Sequence, residues 1–256
     1  NSGVGLADSY SPHTKYDNPT GTLNDLYVGK RLGEIWGYTT DGFIMDAAEA
    51  AEQSKRQSYI SNTWIPGDIR YADLNGDGVV NEGDSEKGPI NTLSNHGDKK
   101  VIGNQTPRYR FNINLGLSWK NFDVRALFEG VMKRDLWLSN EVFWGFSGVW
   151  NSAINDYHVD NSWSEDNPNA YYPVPLFNSD RSRKTQTKYL QNASYIRLRD
   201  LTIGYTLPKK WLEPIGVSQL KVFFSGQNLW EATGLYKYVD PDMTGNTYQK
   251  SSDGMV

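Results

Sequence analysis

The clearest pattern in the chain is a strict alternation of apolar and polar residues over positions 108–119. In RYRFNINLGLSWK, Tyr109, Phe111, Ile113, Leu115, Leu117 and Trp119 share one side, and Arg108, Arg110, Asn112, Asn114, Gly116 and Ser118 share the other. A period of two is the mark of a strand with unlike faces. A tight turn at Lys120–Asn121 leads into FDVRALFEGVM, where Phe122, Val124, Ala126 and Phe128 oppose Asp123, Arg125 and Glu129. The two segments predict a β-hairpin with one apolar and one charged face. A third long strand is predicted over Ala193–Leu207, with its alternation changing phase near Arg199–Asp200, as at a bulge. After the turn PKKWLEPIGV, a further strand follows in SQLKVFFSGQNL, with Leu220, Val222 and Phe224 on one face. Earlier in the chain, Arg31–Thr40 reads as a short strand broken by glycine. The one helical segment is DAAEAAEQSKRQSYI, with Asp46 as its cap, Glu49 three residues on, and an expected end near Tyr59.

The connections are uneven. Those around Lys120 and across Pro208–Val217 are short, whereas residues 41–105 and 133–190 form long excursions. Compact domains seldom carry bare loops beyond about 15 residues. Outer-membrane barrels combine short periplasmic turns with long extracellular loops, and their strands need about 9–11 residues. Alternation alone fits a soluble β-sandwich equally well.

Composition narrows the class. With 24 Gly, 11 Pro, 16 Tyr and 9 Trp, the 256 residues are rich in turn formers and aromatics. They favour an all-β protein with polar loops. Net charge is −4 with the cations dispersed, which gives no basic face for nucleic acid. The absence of cysteine excludes disulfides and thiolate metal sites. No apolar run approaches the roughly 20 residues of a membrane helix, which leaves a membrane barrel open. Asn1 follows neither an initiator Met nor a signal peptide and reads as a point inside a longer chain.

Five segments, in order along the chain, resemble those of SusC/RagA-type TonB-dependent transporters. They are GEIWGYTTDGF (33–43), WIPGDIRYADLNGDGVVNEGD (64–84), VIGNQTPRYRFNINLGLSWKNFDVRALFEG (101–130), NASYIRLRDLTIGYTLP (192–208) and SGQNLWEATGLYKYVDPD (225–242). The resemblance covers most of the chain beyond residue 30. It implies the C-terminal part of an antiparallel transmembrane β-barrel, of which about five strands lie here. The hairpins are expected at 107–131 and 192–229, between extracellular loops at 41–105 and 133–190. It further implies an N-terminal plug and a final strand beyond this chain, and TonB as the energy source. A SusD-like surface lipoprotein is the implied partner, and an oligosaccharide or peptide the implied cargo. The expected location is the outer membrane of a Bacteroidetes-type Gram-negative bacterium.

Three sets of residues are candidates for chemistry. DLNGDGVVNEGD (73–84) matches a calcium loop, with Asp73, Asn75, Asp77, the Val79 carbonyl and Asp84 as ligands, Asn81 acting through water and Gly78 at the sharp turn. Asp84 stands where EF-hands carry Glu, as it does in dockerin-like loops. The bland reading is an Asx-rich turn without metal. The second set is aromatic: Trp144, Trp150, Trp163, Tyr171 and Tyr172 have faces suited to sugars or peptides, although such residues more often pack a loop. The third set, Arg108, Arg110, Asn112, Asn114, Asp123, Arg125 and Glu129, would line the lumen if the apolar face meets lipid; such residues commonly pair across strands. No HExxH, GxSxG, Walker or GxGxxG motif is present, and no catalytic role is expected. The rival to the barrel is a secreted calcium-binding β-sandwich that binds carbohydrate.

Overall fold

The computed structural model describes residues 22–23, 27, 30–145, 154, 156–177 and 179–241. The chain divides into two compact units.

The first unit draws on the two long excursions together. Strand β1 (Glu34–Gly37) pairs antiparallel with a later strand, Lys100–Asn104, and β2 (Thr40–Phe43) pairs with Ile69–Tyr71. The expected Arg31–Thr40 strand is thus two strands, broken where Tyr38 leaves the ladder to exchange backbone hydrogen bonds with Thr185 and Thr187. Helix α1 spans Ala47–Arg56. Asp46 caps it by accepting from Glu49 N at 2.8 Å, and Glu49 reaches back to Met45 N at 2.7 Å, two orphan donors satisfied reciprocally. The helix stops short of Tyr59 because the Gln57 side chain is fully buried. It bonds the backbone of Ile69–Tyr71 (β3), accepting from Tyr71 N at 2.7 Å and donating to Ile69 O at 3.3 Å.

The segment Pro66–Tyr71 shows why this order of residues is used. Gly67 has φ +88°, and a side chain there would collide with the Trp163 ring. Asp68 is wholly buried and accepts from Arg181 Nε and Nη2 at 2.8 Å, Ser182 Oγ at 2.8 Å and Ile65 N at 3.0 Å. Ile69 is wholly buried, as is Ile44. Arg70 pairs with Asp41 and Glu49. Tyr71 is buried and donates its hydroxyl to Arg181 O at 2.7 Å. Strand β4 (Lys100–Asn104) completes this half. Two short helices, α2 (Glu141–Trp144) and α3 (Asp156–Asp160), belong to the aromatic half.

The second unit is a single antiparallel sheet of four long strands. These are β5 (Tyr109–Trp119), β6 (Phe122–Met132), β7 (Tyr195–Thr206) and β8 (Lys221–Thr233), and each pairs with the next in chain order. The turn between β5 and β6 holds Lys120 at φ +55°, and the connection from β7 to β8 contains the short helix α4 (Lys209–Leu212). Registers fall so that like residues line up across the sheet. Leu117, Val124, Ile203 and Phe224 form one row, and Ile113, Phe128, Leu198 and Trp230 another. The phase change near Arg199 is a real bulge. Leu127 faces Asp200 while Phe128 faces Leu198, so Arg199 is the extra residue, and the β7–β8 ladder shifts at the same level. That one residue keeps both faces of the sheet in phase above and below it.

Candidate functional site: a two-faced sheet and the loops of the first unit

The two faces of the sheet are treated oppositely. On the apolar face Tyr109, Ile113, Leu115, Leu117, Trp119 and Phe122 are all exposed, from 45% at Ile113 and Phe122 to 66% at Leu117. Val222, Phe224 and Trp230 on β8 are exposed as well. With these side chains exposed, the described residues give this face no dry core of the kind a β-sandwich requires. A contiguous exposed apolar face of this extent marks an interaction surface or a membrane.

The polar face is a web of cross-strand pairs. Asp123 accepts from Lys221 Nζ at 2.7 Å and from Ser118 Oγ at 3.0 Å. Gly204 makes the first contact possible: a Cβ there would lie 2.6 Å from Lys221 Cε. Arg199 pairs with Glu129 at 3.1 Å, and Arg197, buried, holds both Glu231 and Asp240. Thr202 and Ser225 share a hydrogen bond of 3.2 Å. Of the predicted lumen set, Asp123 and Glu129 are therefore engaged, whereas Arg108 and Arg110 form no ion pair among the described residues. Asn112 and Asn114 are exposed on the same face as Arg110, and Arg125 sits one row from Asp123. No motif marks Arg197, Glu231 or Asp240: the first two fall on the polar side of their strands, and Asp240 follows β8.

The Asp/Asn loop is organised by its own backbone. Asp73 accepts from Gly76 N at 2.7 Å and Gly78 N at 2.8 Å, Asn75 from Asp77 N at 2.9 Å, and Asp77 from Val79 N at 2.8 Å. Burial raises the pKa of Asp73, but the two glycine N–H groups, with Arg56 at 3.6 Å, outweigh it and hold the carboxyl below its usual range. Asp84 takes a different role from the predicted twelfth ligand. It caps the short turn Ser85–Lys87 by accepting from Glu86 N at 2.9 Å, with Lys87 Nζ 3.3 Å away. Among the described residues no three His, Asp or Glu side chains are grouped closely enough to hold a metal ion. Asp73, Asn75, Asp77 and the Val79 carbonyl share one loop, and Asp84 would have to leave its cap to join them. The residue that ties the loop down is Asp98, which no sequence pattern singled out. Fully buried, it accepts from Leu74 N at 2.6 Å and Asn81 N at 2.8 Å, and burial pushes its pKa up against the pull of those donors.

The aromatic candidates do not form an open platform. Trp144, Trp163 and Tyr172 are buried and Tyr171 is half-buried; Trp150 lies outside the described residues. Phe143 meets Trp144 edge-on at 5.2 Å, Trp144 meets Tyr189 at 4.8 Å, and Tyr171 meets Tyr172 at 4.9 Å. Tyr189 donates its hydroxyl to Tyr171 O, and Trp144 donates its indole N–H to Leu138 O, both at 2.8 Å. Trp144 and Tyr172 pack on each other and on Tyr189, and the Trp163 ring packs on Gly67, so these three buried rings fit the loop-packing alternative.

The sheet is therefore part of an antiparallel transmembrane β-barrel, all-β apart from short helices, and no helix among the described residues is long and apolar enough to cross a membrane. No family model matches the chain. Two curated proteins of Formosa agariphila are similar to it. TonB-dependent receptor P3 is 28% identical over 217 residues, covering 85% of this chain and 19% of that protein. TonB-dependent receptor P26 is 24% identical over 197 residues, covering 75% and 18%. Among solved structures, that of the RagAB peptide transporter superposes with a TM-score of 0.56 at 22% identity, over 90% of this chain and 22% of that one. The RagAB peptide importer in its closed-closed state gives 0.54 at 24% identity. The sequence is similar to TonB-dependent receptors and the fold to the RagAB transporter, the class that the five segments implied. The chain spans about a fifth of the length of these relatives. The relatives are named as receptors and transporters, in keeping with the expectation that no reaction is catalysed.

Proposed function

We propose that this chain is part of the barrel subunit of an outer-membrane importer that takes up oligosaccharides or peptides with energy delivered through TonB. The observation that carries the reading is the sheet itself: an uncovered apolar face, a polar face knitted by ion pairs, short turns at one end and a structured unit built from the long excursions. Lipid is the solvent that such a sheet is made for, because a closed barrel satisfies every backbone group while its outer side chains meet acyl chains. The likeness to TonB-dependent receptors of a Formosa species supports an outer membrane of Bacteroidetes type. The fold likeness to RagAB, a peptide transporter, favours peptide as one cargo class. A SusD-like surface lipoprotein is the partner that the five matched segments imply. In this reading the chemistry is binding and gating, with no bond broken.

Calcium at Asp73–Asp84 belongs to the same proposal, as a stiffener of the extracellular unit with no part in transport. The deciding experiment is fractionation of the native host, probing for this sequence. A detergent-extracted outer-membrane species much larger than 29 kDa, copurifying with a lipoprotein, is the expected result. A soluble species of about that size would overturn the reading.

A further inference from the structure

The short-turn end of the sheet carries three lysines without a counter-charge. The Lys120–Asn121 turn is clasped to β7: Thr206 N donates to Asn121 O at 2.8 Å, and Asn121 Nδ2 donates to Thr206 O at 2.6 Å. Lys209 and Lys210 follow three and four residues after Thr206, so their backbone lies within about 15 Å of that turn at 3.8 Å per residue. Their neighbour Lys221 is paired with Asp123, but Lys120, Lys209 and Lys210 form no ion pair among the described residues. Lys120 Nζ instead lies over the Trp119 ring, 4.6 Å from its centroid. Glu213 is the acidic residue of the β7–β8 connection, so the balance there is positive.

Apolar groups accompany these charges on a rigid support. Leu212 is buried and anchors α4, Trp211 N donates to Pro208 O at 3.0 Å, and Val217 N donates to Leu212 O at 3.2 Å. That frame holds Trp211 and Ile215 outward, both more than 60% exposed. The adjacent last row of the apolar face is Trp119, Phe122, Tyr205 and Val222, aromatic at three of its four positions. Aromatic rings at the end of an apolar band sit at headgroup level, and lysines just beyond them meet phosphate.

We propose that this end of the sheet is a binding surface for anionic phospholipid. Lys120, Lys209 and Lys210 engage the headgroup phosphate, and Trp211 and Ile215 enter the acyl boundary. The proposal rests on the barrel reading and adds to it a preference for one lipid charge. The test uses the full-length protein extracted from its membrane and native mass spectrometry with phosphatidylglycerol or phosphatidylethanolamine of matched chains. The expected result is several-fold greater retention of phosphatidylglycerol, undiminished by excess inorganic phosphate and abolished in the combined Lys120→Gln, Lys209→Gln, Lys210→Gln protein. Trp211→Ala should lower retention of both lipids alike. Equal retention by the wild type, or an unchanged preference in the triple variant, overturns the proposal; displacement by phosphate makes the site one for free anions and overturns it too. Unchanged heat-modifiable mobility of the variants shows that they are folded. If the protein is not extracted from a membrane at all, it is the barrel reading that fails, a different outcome from loss of lipid preference.

Discussion

The two units of this chain solve opposite solvation problems with the same residue types. In the first, Ile44, Ile69, Tyr71 and Phe143 are buried, and a charged pair, Asp68 with Arg181, lies inside among them. In the second, the apolar side chains of β5 and β8 stand outward, and the ion pairs Asp123–Lys221 and Arg199–Glu129 lie on the other face. The first arrangement is that of a water-soluble domain, stabilised by removing apolar area from water. The second leaves its outward apolar face uncovered within the chain, and that face contributes stability when lipid replaces water. A charge is therefore expensive in different places in the two units. It must be paired when it is inside the first, and it must stay off the outer face of the second.

The largest expected effect tests the first half of that contrast. Asp68→Ala would leave the Arg181 guanidinium, Ser182 Oγ and Ile65 N without their shared acceptor in a buried site. Breaking such a pair from one side costs about 3–5 kcal/mol. Limited proteolysis should then cut the excursions at much lower denaturant, while the β5–β8 sheet stays protected. Equal resistance in wild type and variant would show that the pair is not structural. Next in size is Leu115→Arg, in the row Leu115, Ala126 and Leu201 near the middle of the strands. At mid-bilayer depth a cation costs about 2–4 kcal/mol. Folding titrations into lipid vesicles should show that loss. A neutral result would mean that this face meets water.

How much of this could be read in the chain differs between the two units for the same physical reason. The β5–β6 hairpin, its faces, and the bulge at Arg199 follow from a period of two, which is local and survives without knowledge of partners. The helix and its Asp46–Glu49 box were legible likewise, except for the end that Gln57 imposes through a contact with Ile69 and Tyr71. The first unit has no period to read. Its defining contacts join Asp68 to Arg181, 113 positions apart, and Gly67 to Trp163. The PGDIRY segment could be matched as a motif, but the role of its aspartate needs its distant partner. Trp144, Trp163 and Tyr172 presented the same difficulty: a ring suited to a sugar and a ring packed in a core look alike until their neighbours are known. Asp98 gave no signal at all, because a single buried acceptor for backbone N–H groups has no spacing rule.

A smaller effect separates a metal site from a self-sufficient turn. Asp73→Ala removes the acceptor for Gly76 N and Gly78 N and the partner of Arg56, a set of contacts worth about 1–2 kcal/mol. Asp84→Ala, which loses only the cap of a short turn, should cost less. If calcium binds, saturating calcium should raise the unfolding midpoint of the wild type. It should do so less for Asp84→Ala and not at all for Asp73→Ala. No shift in the wild type would show that the Asx turns suffice. The carboxyl of Asp73 is held below its usual range, so its contribution is present above the unfolded carboxylate pKa of about 3.9 and is lost as pH falls through the lower folded value.

The smallest expected effect is again one of charge placement, inside the first unit. Burial lowers the pKa of Lys188 to about 8 from 10.5. Its ammonium lies over the Phe43 ring, 3.7 Å from the centroid. Well below pH 8 the amine is charged in both folded and unfolded chains, and the fold bears the cost of holding it away from water. Between about 8 and 10.5 the folded unit carries it neutral while the unfolded chain still binds the proton, so unfolding takes up a proton and raising the pH stabilises the fold. Denaturation of the first unit, followed from pH 7 to 9, should show stability rising; nearer pH 10 the buried Tyr38, Tyr71 and Tyr189, whose pKa burial raises, act in the opposite sense as unfolded tyrosines ionise. Lys188→Met should flatten the rise and lift stability at neutral pH. A lysine with the same pKa folded and unfolded would contribute no slope at any pH.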